Sequence, residues 1–139
     1  MKKYYAVLDT NVLVSALLKK NSIPNLILKH ASKGAIVPLY NDAIFDEYND
    51  VLYRRKFHFA ERDIQEAFGT IRERGKDIDA EPLDADFDDI EDIVFYEVVM
   101  EKRKTDEAWL VTGNIRHFPK EPFIVTPREM LDIIEGNGK

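Results

Sequence analysis

The sequence contains no cysteine, which rules out disulfides, thiolate metal sites and a cysteine nucleophile. That absence suits a reducing compartment, and a cytoplasmic location is the expectation. No apolar run approaches the ~20 residues needed to span a bilayer, so no membrane span is expected. The opening stretch MKKYYAVLDT is Lys-rich and then apolar, but its apolar part is short and broken by Asp9, unlike a secretory leader. Positive charge is not in excess either: 20 Lys and Arg face 26 Asp and Glu, a net charge of −6. This argues against a basic nucleic-acid binder of the usual kind. It does not exclude a nuclease, because carboxylates that hold a divalent cation are themselves negative and the ion supplies the local positive charge. Internal repeats, linkers and composition breaks are missing, so residues 1–139 read as one domain.

What is present alternates between short apolar runs and amphipathic stretches. Tyr4–Leu8 is a buried strand ending in Asp9, and Val12–Lys19 follows with helical spacing. Pro24 suits the first turn of a second helix, stopped by Gly34. The run 35–40, AIVPLY, is a second strand, which Pro38 places toward an edge or ends early. Asn41 or Asp42 caps a third helix over 43–55, with a stripe of Ile44, Tyr48, Val51 and Leu52. A fourth helix covers 63–74, and 78–83 is weakly strand-like. The acidic block 84–92 leads into a helix over 93–104, whose basic end complements the helix dipole. Ala108–Thr112 is a clean strand, 122–125 a last short one, and Pro127 opens a final helix through Ile134. Strands alternating with helices predict a three-layer α/β/α sandwich around a central parallel sheet, a Rossmann-like arrangement.

In such a sheet, ligands bind at the carboxyl ends of the strands, where connections leave in opposite directions. Asp9 ends one strand and Asn114 follows another. Glu47 points with the apolar stripe of its helix, where a carboxylate needs a partner or a metal. Asp92 opens the helix at 93–104. Each has a structural alternative: Asp9 suits an N-cap, Glu47 an ion pair with Arg54 or Arg55, Asp92 a capping box with Asp89, and Asn114 a Gly-Asn turn. Several carboxylates together favour hard cations such as Mg²⁺ or Mn²⁺. The basic group Arg54, Arg55 and Lys56, with Arg116, offers phosphate contacts, and His117 reads as loop packing.

Taken in order, LDTNVLVSAL, FDEYNDVL, the acidic helix start before FYEVV, and VTGN–HFP resemble the PIN domain. The branch they most resemble comprises bacterial and archaeal toxins of toxin–antitoxin pairs. The resemblance covers almost the whole chain. It implies a metal-dependent ribonuclease that uses Mg²⁺ or Mn²⁺, with RNA as substrate, an antitoxin protein as partner and a homodimer as assembly. It assigns catalysis to Asp9, Glu47 and Asp92, metal ligation to Asp9, Asp92 and Asn114, and supporting roles to Asn11 and Thr112. Glu97 lies further along the same helix and is a supporting candidate. The family more commonly has Asp where this chain has Asn114. That neutral amide leaves open a scaffold that binds RNA or a partner without efficient catalysis.

Overall fold

The computed structural model describes residues 2–83 and 92–136. Five parallel strands, β1 (Tyr4–Leu8), β2 (Ile36–Tyr40), β3 (Lys76–Asp77), β4 (Ala108–Val111) and β5 (Ile124–Val125), form one sheet in the order β3-β2-β1-β4-β5. The helices are α1 (Thr10–Leu18), α2 (Ile23–Ser32), α3 (Asp42–Leu52), α4 (Glu61–Arg74), α5 (Ile93–Arg103) and α6 (Pro127–Gly136). β1 is central, and from it the chain winds first toward β2 and later toward β4. The reversal of strand order therefore falls between β1 and β4, where a doubly wound sheet opens its crevice.

The strand sequences fit burial on two faces. Ala6, Val7 and Leu8 are fully buried in succession, so both sides of β1 are covered. Tyr5 faces α5, whose Lys102 Nζ lies 4.3 Å from the ring centre. On the other helical layer, α2 packs against α1, α4 and α6. α3 touches both α1 and α5. It is tied to the sheet by Tyr48, whose hydroxyl donates to the carbonyl of Leu8 at 2.5 Å. Among the described residues no helix is long and apolar enough to cross a membrane.

β2 lies toward an edge, as Pro38 suggests: it is the last strand but one, and it runs on to Tyr40. Its outer neighbour β3 pairs only with Leu39 and Tyr40, so the ladder begins after the proline and needs no N–H from it. Gly75 permits this, because a Cβ there would run into the carbonyl oxygens of Pro38 and Ile71. The third strand itself lies at Lys76–Asp77 and not within 78–83; Ile78 contributes only one further bond, from its N–H to the Tyr40 carbonyl at 2.8 Å. α3 ends at Leu52, so Arg55 and Lys56 belong to a separate 3-10 turn, Arg55–Phe57. The acidic block is described only from Asp92 onward, and the alternative acid Asp89 lies outside the described residues.

Candidate active site

The sheet register creates the site. Leu8 is paired with Val111, so the next residues along the two strands, Asp9 and Thr112, stand side by side just past the ladder. Asp9 keeps extended dihedrals (φ −62°, ψ 151°), so the alternation Tyr5, Val7, Asp9 continues and its side chain leaves on the α5 face. The Thr112 hydroxyl donates to Asp9 Oδ2 at 2.7 Å. Asn11 Nδ2 donates to the same oxygen at 3.1 Å, and Asn11 Oδ1 accepts the Gly113 N–H at 2.9 Å. The N–H of Asn114 closes the turn onto Thr112 Oγ1 at 2.9 Å. Asn11 therefore stitches the first turn of α1 to the turn after β4. Asp9 occupies the N-cap position of α1 but makes no capping hydrogen bond, so its carboxylate serves the crevice and not the helix.

Asp9 is 5% exposed, and Thr112 is completely buried. Burial raises the Asp9 pKa from 3.8 to about 6; the Thr112 hydroxyl opposes the rise and the charge of Asp92 adds to it. Asp92 is thus close enough to repel Asp9. Its placement follows from the fold: α5 covers the face on which Asp9 projects, and Asp92 is the N-cap of α5, again without a capping hydrogen bond. Asp92 Oδ2 lies 3.3 Å from His117 Nδ1, with side chains 14% and 48% exposed. His117 is the residue that sequence reasoning set aside as loop packing. Nothing in a spacing of twenty-five residues signals that contact, which depends on the 3-10 turn Ile115–His117 folding back toward α5.

The other candidates separate. Glu47 is half-buried on α3, one residue before the Tyr48 that binds Leu8. Among the described residues no group of three acids or histidines that could hold a cation is found. Glu97 accepts the N–H of Leu83 at 2.7 Å and so anchors the chain ahead of the acidic block. Arg54 is paired with Asp50 at 3.1 Å on the exposed side of α3. Arg55 and Lys56 are exposed in their own turn, and Arg116 is exposed within the same turn as His117.

A family model for the PIN domain matches residues 5–116. The chain belongs to the PIN domain family. A search of curated proteins and a search of solved structures each gave no match. The PIN match takes in Asp9, Asn11, Glu47, Asp92, Thr112 and Asn114, and it stops one residue before His117. His117, which meets Asp92, and the edge strand β5 thus lie outside the matched residues. PIN domains are in general nucleases that use divalent metal ions, and the donors here suit that use. Asp9 and Asp92 are hard oxygen donors whose mutual repulsion a cation relieves. Two carboxylates are enough for Mg²⁺, which keeps several waters and shares substrate phosphates.

Proposed function

We propose that this PIN domain is a Mg²⁺- or Mn²⁺-dependent endoribonuclease that hydrolyses RNA phosphodiester bonds. The observation that carries this reading is the pair Asp9–Asp92 at the strand-order reversal: Asp9 is buried and held by Thr112 and Asn11, Asp92 is half-buried opposite it, and neither makes a helix-capping hydrogen bond. Asp9 and Asp92 would hold the ion, with Asn114 beside them on the turn after β4. When bound, the ion supplies Lewis-acid activation of water and of the phosphate oxygens. Thr112 and Asn11 both donate to Asp9 Oδ2, which orients the carboxylate without neutralising it. Glu47 is retained as the third acid of the reaction, acting from α3. Water forms the new P–O bond, the bond to the leaving ribose oxygen breaks, and no covalent enzyme intermediate is required. The toxin role, an antitoxin partner, a homodimer and a cytoplasmic location belong to the same proposal and rest on the motif resemblance.

One observation favours a second reading. The neutral Asn114 suits a PIN scaffold that binds RNA and cleaves it poorly. Incubating labelled single-stranded and structured RNA with the protein in Mn²⁺, Mg²⁺ or EDTA, beside Asp9→Asn, separates the two. The nuclease reading expects cleavage with either ion and none with EDTA or the variant. Cleavage that survives both would overturn it, and binding without cleavage under any condition would leave the scaffold.

A further inference from the structure

Beyond the acidic crevice, residues 53–59, YRRKFHF, combine aromatic rings with cations on the surface. Phe57 and Phe59 are stacked almost parallel, with centroids 5.2 Å apart and planes 8° from parallel. Phe59 packs against the hydrophobic core, whereas Phe57 is the outer ring of the stack. Lys56 Nζ lies 5.1 Å from the centre of the Phe57 ring. Arg55 is exposed and makes no ion pair among the described residues, unlike Arg54, which Asp50 holds. Tyr53, 41% exposed, is fixed from α4 by Gln65 Nε2, which donates to its hydroxyl at 2.8 Å. Between the two phenylalanines His58 adopts a left-handed conformation (φ 54°), which a non-glycine residue rarely takes and which lets consecutive side chains turn to one side.

Phe57 is not among the core residues: its half-buried ring is backed by Phe59 and flanked by the exposed cations Arg55 and Lys56. Base faces stack on such platforms, and exposed cations take the adjoining phosphates. A duplex hides its base faces, so the platform selects single strands. We propose that the turn Tyr53–Phe59 is a binding element for single-stranded RNA, in which Phe57 stacks on a base while Arg55 and Lys56 hold neighbouring phosphates. The choice of RNA rests on the nuclease reading above; the preference for unpaired strands rests on the turn itself.

The test uses the full chain in EDTA, so that binding is measured without cleavage. Probes are a fluorescein-labelled mixed-sequence single-stranded RNA, the same strand annealed to its complement, and a copy carrying 2-aminopurine. The expected result is tighter anisotropy binding of the single strand and 2-aminopurine quenching on binding. Phe57→Leu, which keeps apolar bulk but removes the aromatic face, should weaken the single strand roughly tenfold or more and abolish the quenching. Arg55→Gln with Lys56→Gln, on exposed positions that leave the fold intact, should lower the salt slope of single-strand binding by about 0.7 per cation. If the wild type binds single strands and both variants bind and quench as it does, the inference fails while the nuclease reading stands. Equal affinity for duplex and single strand also overturns it. RNA binding that depends on Phe57, in a protein that cleaves nothing with Mn²⁺, supports the inference and removes the nuclease reading.

Discussion

Thr112 and Asp9 meet through a 2.7 Å hydrogen bond that spans the gap between β4 and β1, one step beyond the last paired residues of the two strands. The hydroxyl also accepts the Asn114 N–H, so one threonine links Asp9 to the turn after β4.

Replacing Thr112 by Val keeps the buried shape and removes both bonds, together with a longer one that the hydroxyl accepts from Asn11 Nδ2 at 3.4 Å. The expected cost is about 2 kcal/mol, because a hydrogen bond to a carboxylate is lost and the Asn114 amide loses its acceptor. The Asp9 pKa should rise further, since the hydroxyl is the main influence that lowers it. Urea denaturation and a carboxylate NMR titration check these outcomes, and Thr112→Ser should restore most of each.

Asp9 carries a pH dependence of defined sign. Its folded pKa of about 6 lies above the ordinary 3.8, so between these values the folded chain keeps a proton that the unfolded chain has released. The contribution of Asp9 to stability without metal is therefore most favourable below pH ~4, falls as pH rises through ~6, and then levels off. The full penalty is on the order of 3 kcal/mol. Asp9→Asn removes it, so the variant should match the wild type near pH 4 and exceed it at pH 8, while losing catalysis. Melting curves across that range, in EDTA, test the prediction.

Tyr48→Phe removes the hydroxyl that holds the Leu8 carbonyl from α3. A loss of about 1–2 kcal/mol is expected. Because Glu47 precedes Tyr48 on the same helix, turnover should fall while divalent-ion affinity, set by Asp9 and Asp92, stays near the wild-type value. Parallel calorimetry and RNA cleavage assays distinguish the two effects.

Asn114→Asp should move affinity and stability in opposite directions. A further carboxylate beside Asp9 and Asp92 strengthens a hard-cation site. Without the ion it adds repulsion to a pair already pushed toward protonation, and the melting temperature in EDTA should drop. Unchanged Mn²⁺ affinity would mean that the side chain faces away from the pocket.

Much of this arrangement was legible in the residues because local pattern and burial agreed. The apolar run before Asp9, the stripe Ile64, Ala67, Phe68 and Ile71, and the strand at 108–111 all lie where periodicity puts them. What was not legible depends on long-range pairing. Lys76 and Asp77 are polar and become a strand only because Leu39 and Tyr40 offer an open edge. His117 reaches Asp92 only after α5 and the turn beyond β4 have packed. Glu97 looked like a supporting acid from its helix position, but an amide 14 residues upstream, at Leu83, occupies its carboxylate. Asp9 was identifiable from its strand end, although its partnership with Thr112 needed the β1–β4 register.

The central claim is that Asp9 and Asp92 together hold a divalent cation. Mn²⁺ binding measured by calorimetry on the wild type, Asp9→Asn and Asp92→Asn tests it most directly. The account predicts saturable binding to the wild type near neutral pH and its loss in both variants. Mn²⁺ binding of undiminished affinity in either folded variant would contradict it.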